Sequence, residues 1–300
     1  MIGAVYLNQL RHLISETSGT WVDLRTTFDF LYEAAKDFSK ETKACHNSQT
    51  ITTVANQAEY DLNPDFLEVM TKDDHDLPVI KLTDASGNIS WLSWESYSDY
   101  LQSSNSASTP SSFAITDRAI STRLTGVITT GSTPSGGETS LIATGGTFTA
   151  VVAGDIAVNT TNSYYGYVLV AGTSPTTAMF NLTTSGGAYA GWTIADAYMI
   201  QPAPRYKLIL DPAPDTTGQI VTVPYLAKPT PVYSDYGVYP FATGYEEALI
   251  SYAAWKYRYR DSKPQLGDPL YLAYERQMRK AKNVQRKATG AIGFRVNFMK

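Results

Sequence analysis

At 300 residues, 43% apolar and 17% charged, the chain is long enough for about two cored domains. An aromatic content of 12% and weak charge exclude a disordered tail, a lone cysteine (Cys45) excludes a disulfide framework, and no apolar run has the length of a membrane span. Net charge is −4 but unevenly spread: from Lys256 to the end there are 12 Lys and Arg against 3 Asp and Glu, net +9, leaving −13 for the first 255 residues. Residues of about 4–16 read as a helix with Tyr6, Leu10, Leu13 and Ile14 on one stripe. After the break at Thr17–Thr20, Phe28, Leu31, Tyr32, Ala35 and Phe38 recur at helical spacing and predict a second helix over about 23–44. The two together read as an αα-hairpin.

The period then changes to two. Thr50–Val54, Tyr60–Val69 (broken at Asn63-Pro64), Val79–Leu82 and Phe113–Ile115 read as strands, with a turn at Asp84–Gly87 and a short helix or irregular segment over Trp91–Leu101. Between Ser121 and Ile200 only Arg123, Glu138, Asp155 and Asp196 are charged, while Thr numbers 17 and Gly 12. This stretch reads as an all-β insert with strands over 124–128, 147–152, 155–159, 164–171 and 178–182 and Gly-rich turns between them. Tyr206–Leu210 and Ile220–Leu226 are expected to pair as a hairpin across Asp215–Gly218. A helix follows over about 243–260, with Leu249, Tyr252, Ala253, Lys256 and Tyr257 on one side, and a last helix over about 269–288, with Leu270, Tyr274, Met278 and Ala281 on one side. At the end, Phe294, Val296 and Phe298 alternate with Arg295 and Asn297, which is strand spacing.

The expected fold class is therefore α+β: a helical body, made of the amino-terminal αα-hairpin and two carboxy-terminal helices, with an antiparallel β region. The boundaries are 1–121 plus 202–300 for the body, 122–201 for an inserted small β-barrel, and 288–300 for an extended tail. The start, Met1–Asn8, shows no basic and apolar leader, so folding in the cytoplasm is expected.

The search for chemistry returns structural readings. His12, His46 and His75 lie in separate segments without zinc-ligand spacing. Cys45 beside His46 reads as a buried helix-end cysteine, and Asp73, Asp74 and Asp76 as a solvated loop. Glu246 and Glu247 at a helix start suit the helix dipole better than acid–base work. No phosphate-cradling glycine motif precedes a Lys, and no nucleophile elbow is present. No catalytic residue, no metal and no cofactor is expected, and the chain reads as a non-enzyme. The basic carboxy-terminal helix, with Arg276, Arg279, Lys280, Lys282, Arg286 and Lys287, reads as a face toward an acidic partner or a DNA passage; its interleaved tyrosines recur at helical spacing and read as packing.

The order of parts resembles the head-to-tail adaptor (connector, or tail-tubular A type) proteins of tailed bacteriophages. Three segments carry the resemblance. They are the helix pair with Gly19-Thr20-Trp21 between its members; Tyr60-Asp61-Leu62-Asn63-Pro64-Asp65-Phe66, similar to a family Y-x-L-P-x-D-F signature but with Asn63 preceding the proline; and Leu208–Pro214 followed by Val223–Pro229 and the two final helices. Within the insert, Gly154-Asp155-Ile156-Ala157-Val158-Asn159-Thr160-Thr161 is similar to small β-barrel modules of phage structural proteins. The resemblance implies a virion protein of the neck, assembled in the host bacterial cytoplasm. It implies a homo-oligomer, a dodecameric ring below the portal, joining capsid to tail tube or nozzle, with double-stranded DNA passing through the middle and fibres as further partners. On that reading Phe294, Arg295, Val296, Asn297 and Phe298 form a portal-docking strand. An alternative is an attachment module binding host glycan or fibres through insert aromatics Tyr164, Tyr165, Tyr189 and Trp192.

Overall fold

Asp23 starts the longer amino-terminal helix: its carboxylate accepts the Thr26 amide at 2.7 Å, and Lys43, in the left-handed conformation at φ 52°, ends it. The computed structural model describes residues 3–15, 23–72, 77–102, 106–118, 123–174, 177–184, 188–239, 241, 245–260 and 264–288. Gly19-Thr20-Trp21, the Asp73–Asp76 cluster and the Phe294–Phe298 strand lie outside the described residues.

In chain order the first elements are α1 (Gly3–Leu13), α2 (Leu24–Thr42), β1 (His46–Thr52), β2 (Glu59–Asp61), β3 (Phe66–Val69), β4 (Thr71–Lys72), β5 (Leu77–Pro78) and β6 (Lys81–Thr83). Then come β7 (Ile89–Trp91), β8 (Ser93–Trp94), α3 (Tyr97–Gln102) and β9 (Ser112–Arg118). The low-charge stretch holds β10 (Leu124–Val127), β11 (Glu138–Ile142), β12 (Ile156–Asn159), β13 (Tyr164–Ser174), β14 (Thr177–Thr183) and β15 (Ala197–Gln201). The chain continues through β16 (Arg205–Asp211), β17 (Ile220–Ala227), α4 (Glu246–Arg260) and α5 (Pro264–Ala288), an α+β fold.

Two small sheets are built around late strands. β17 is flanked by β1 on one side and β3 and β6 on the other, with β7 at the far edge; β16 lies between β2 and β9, with β8 pairing parallel at the edge. The expected β16–β17 hairpin is thus overturned. Each strand is claimed by partners from residues 46–118, whose apolar side chains (Ile51, Leu62, Phe66, Leu82, Phe113) share one core with Leu208, Leu210, Val221 and Val223. Burying that common core outweighs the short closure that a hairpin would give.

Residues 124–201 supply a six-stranded antiparallel sheet in the order β10-β15-β12-β13-β14-β11. Its two ends meet where the Thr129 amide donates to the Ile142 carbonyl at 2.9 Å, so the sheet curls back on itself around Leu141, Phe148, Val168, Phe180 and Trp192. The strand expected over 147–152 is a turn instead. Phe148 and Val151, both buried, are three apart, and the Val151 amide donates to the Phe148 carbonyl at 3.0 Å. Conversely, β11 forms where no strand was expected.

The helices α1, α2, α4 and α5 enclose a second core that includes Leu10, Phe28, Leu31, Phe38, Leu249 and Tyr274. The first amides of α1 donate outside the helix, Gly3 to Gly237 at 2.9 Å and Ala4 to Asp235 at 3.0 Å. This close approach requires glycine at position 3, since a Cβ there would lie 1.9 Å from the Ser234 carbonyl oxygen. α5 begins at Pro264, where a proline suits the first helical turn, and so starts earlier than expected. Pro269 lies inside the helix, next to a turn where buried Gly267 fits under Trp255.

A charged ridge runs along α2 beside its apolar stripe: Arg25, Asp29, Glu33, Asp37 and Glu41, one every four residues. The Tyr233 hydroxyl donates to Asp29. The Tyr252 hydroxyl donates to Glu33 at 2.9 Å, joined there by the Lys256 ammonium at 2.7 Å. From α5, the Tyr274 hydroxyl donates to Asp37 and the Lys282 ammonium to Glu41 at 2.6 Å, the latter holding the Glu41 carboxyl below its ordinary range. Burial, and then the neighbouring carboxylates, push the phenols of Tyr233, Tyr252 and Tyr274 above their ordinary value. Tyr32, buried beside Tyr167, is pushed up to about 12.

These shifts give a pH dependence. An unfolded tyrosine ionises near pH 10. Because the folded values are raised, the stabilisation is complete below about pH 10 and is lost as pH rises from there through the folded values. In an alkaline titration, tyrosinate absorbance and loss of helical circular dichroism are expected to rise together above about pH 10. Tyrosine ionisation centred near the free value with the helix signal intact would contradict this.

Candidate functional site

Residues 124–201 meet the helical body at a seam built on Arg25. Its guanidinium lies 4.0 Å over the Tyr165 ring, 4.9 Å over Tyr233 and 5.5 Å over Tyr167. Its Nε donates to Asp29 at 3.3 Å and its Nη1 to the Thr183 hydroxyl at 3.3 Å, so α2 orients the group from one side and β14 from the other. The Tyr167 and Tyr233 rings lie tilted by 30° with centroids 4.8 Å apart, and Tyr32 meets both edge-on. A short loop completes the seam. The Asp235 amide donates to Gly136 at 2.8 Å, the Ser234 hydroxyl to Glu138 at 2.9 Å, and the Tyr189 hydroxyl to Asp235 at 3.0 Å. Gly136 and Gly137, both at positive φ, let Tyr236 and Tyr189 lie against this turn.

The insert aromatics are not a free stacking platform. Trp192, expected at the surface, is 2% exposed in the insert core against Phe180. Tyr189 is half-buried against the helical core, with its hydroxyl taken by Asp235. Tyr164 packs on the insert core, and Tyr165 keeps an exposed edge but gives its face to Arg25. For Tyr164 and Tyr165 the alternation of β13 decides this, since it sends neighbouring aromatics to opposite sides of the sheet.

The stretch Gly154–Thr161 is a structural lock. The buried Asp155 carboxylate accepts the Val152 amide at 3.0 Å and the Ala203 amide at 2.9 Å, and pairs with Arg205 of β16 at 3.3 Å. Asn159, also buried, donates to Asp196 at 2.7 Å and accepts the amides of Thr161 and Asn162 at 3.1 Å. The signature around Tyr60 is likewise architectural. Tyr60 donates to the Gln57 carbonyl at 2.8 Å, Asp65 accepts the Tyr225 hydroxyl at 2.7 Å, and Phe66 packs against Tyr206 and Tyr225. Asn63, the departure from the signature, is used: its side-chain amide donates to the Tyr225 hydroxyl at 3.0 Å.

On α5, Arg276, Arg279 and Lys280 are exposed, Arg279 pairing only within the helix with Glu275 at 3.4 Å. Lys282 is turned to Glu41 and belongs to the body's own contacts. Arg286 and Lys287 lie in the last turn of the helix. Of the tyrosines near these cations, Tyr257 and Tyr274 are fully buried and Tyr271 packs on Trp255. Cys45 is buried with its thiol pushed up by burial, which disfavours the nucleophilic thiolate. Among the described residues no group of three His, Cys, Asp or Glu side chains could hold a metal ion, and no helix is long and apolar enough to cross a membrane.

Residues 6–142 match the family model described as SU10 adaptor protein. The match, over a little under half of the chain, is a similarity to a phage structural adaptor family. It runs from α1 through β11. Every small-sheet strand it contains, β4 and β5 apart, belongs to a sheet completed by β16 or β17, so the matched and unmatched parts fold as one body. No curated protein matches the chain.

The reading missed one surface. Trp91, Trp94, Tyr97 and Leu101 are all exposed, on β7, β8 and α3. Two of the five tryptophans falling within four residues was the available signal.

Two substitutions test the seam and the lock. Asp155→Ala leaves Arg205 and two amides without their acceptor and is expected to cost roughly 3–5 kcal/mol in denaturant unfolding. Arg25→Ala should cost only about 1–2 kcal/mol but should make the 124–201 region preferentially cleavable in limited proteolysis. Unchanged unfolding for the first, or an unchanged cleavage pattern for the second, would refute the assignment.

Proposed function

We propose that this protein is a head-to-tail adaptor that forms a ring below the portal, joins capsid to tail and surrounds the DNA passage. The observation that carries the reading is the SU10 adaptor match over residues 6–142, which spans the amino-terminal helix pair and the strands that β16 and β17 complete. The ring is expected to be dodecameric and to meet a tail tube or nozzle protein on its far side.

Within this reading, residues 122–201 are a module nested in the body formed by 1–121 and 202–300. Their own closed sheet and core support that division, and the Arg25 seam and Asp155–Arg205 pair fix the module to the body. The tail, Gly290–Lys300, is the portal-docking strand. Its alternating Phe294, Val296 and Phe298 suit addition to an exposed sheet edge.

Purified protein mixed with portal rings is expected to give stacked ring complexes by electron microscopy. Deleting Gly290–Lys300 should leave the melting temperature unchanged and weaken binding to portal. A protein that stays monomeric and does not bind portal would overturn the adaptor reading, and full binding by the truncated chain would overturn the docking role of the tail.

A further inference from the structure

The chain carries two exposed surfaces of opposite character on different elements. One is the segment of β7, β8 and α3. β7 and β8 are the outer strands of two different sheets, each paired on one side only among the described residues. Trp91 is 65% exposed, Trp94 54%, Tyr97 42% and Leu101 64%, with the carboxylates of Glu95 and Asp99 set among them. Exposed tryptophans on open strand edges are an aggregation hazard unless something covers them, and natural edges are usually blunted with lysine or proline. Here the only charges among these residues are acidic.

The other surface is the outer side of α5. Leu272, Arg276 and Arg279 share the side opposite buried Tyr274 and Ala281, and Lys280 flanks them. α5 contacts α4 and α2 with its inner side. Arg276 and Lys280 take part in no salt bridge among the described residues, unlike Lys256 and Lys282, which are drawn onto the α2 ridge. This outer side is cationic over Arg276, Arg279 and Lys280, with exposed Leu272 one turn before them and Asp268 a turn earlier; the edge segment is apolar with an anionic fringe.

We propose that these two surfaces mate between neighbouring copies of this chain, the outer side of α5 on one copy covering the Trp91–Leu101 segment of the next. Charge complementarity selects a second copy as the occupant. The acidic body, −13 over the first 255 residues, and the basic end, +9 over the last 45, lie on the same polypeptide. Each surface meets the other and not itself, and on the ring reading the contact is head-to-tail, the arrangement that closes into rings. Arginine against tryptophan and tyrosine adds cation–π attraction once the contact excludes water. The inference rests on the ring reading and specifies which surfaces build the ring.

The test is self-association of the full chain by sedimentation velocity, in low and high salt. The wild type is expected to form closed oligomers that weaken as salt rises. Arg276→Glu with Lys280→Glu should weaken association by at least about tenfold, with unchanged circular dichroism. Glu95→Lys with Asp99→Lys should do the same, and equimolar mixing of the two reversed chains should restore a mixed oligomer. Because Asp99 accepts the Ser96 hydroxyl at 2.6 Å and Glu95 the Ser112 hydroxyl at 2.7 Å, Glu95→Gln, which removes the charge and keeps an acceptor for Ser112, serves as the milder second variant. Wild-type rings with reversed chains that assemble equally well would overturn this contact and leave the ring standing. Reversed chains that keep self-association but lose portal or DNA binding would assign the α5 side to those partners and overturn the contact. A wild type that is monomeric both alone and on portal would overturn the contact and the ring together.

Discussion

The structure hangs on one side of one helix. Along α2 a charged group stands every four residues, and together the five meet four different parts of the chain. Arg25 meets the curled sheet, Asp29 meets Tyr233 of the loop before α4, Glu33 meets α4, and Asp37 and Glu41 meet α5. The kind of partner matters. A half-exposed lysine–carboxylate pair contributes little by itself, because solvent screens it and two long side chains must be ordered. A tyrosine brings its ring into the core and reaches the carboxylate with its tip, so apolar burial and a charge-assisted hydrogen bond act through the same side chain. Tyr233, Tyr252 and Tyr274 all do this. The high tyrosine content thereby gains a physical role.

The same geometry makes the chain a closed loop of dependencies. The ridge lies in the first 41 residues, while most of its partners lie between 165 and 282. The small sheets repeat the pattern, since late strands β16 and β17 sit between early ones. Neither end of the body has a complete core without the other, although the curled sheet of 124–201 has its own. An element inserted between two such mutually dependent halves is tolerated because closing a long loop costs little more than closing a short one.

For the adaptor proposed above, the outward surfaces matter more than any cleft. Body contacts neutralise Lys256 and Lys282 and bury most tyrosines of α4 and α5. That leaves the outer side of α5 basic, while tryptophans stand open on two strand edges. A thiol whose burial disfavours ionisation and an insert whose aromatics are turned inward leave packing and contact as the chemistry the molecule offers.

By itself the sequence determined the helices, because burying one side of a helix imposes a spacing of three and four that a local window records: the stripes of α1, α2, α4 and α5 are all present in the chain as Leu10, Phe28, Leu31, Leu249 and Tyr274 foreshadow. It also determined that 121–200 differs from its surroundings, since near absence of charge is a property of composition. Every fourth-residue charge on α2 was legible as a pattern, but not its partners, which lie more than a hundred residues away. Only the tertiary structure decided that β16 and β17 part into separate sheets, that Phe148 drops into a turn and that Trp192 is core while Trp91 and Trp94 are surface. Strand partners and the buried side of a short strand are chosen by a shared core assembled from distant segments, and that choice leaves no local period to read.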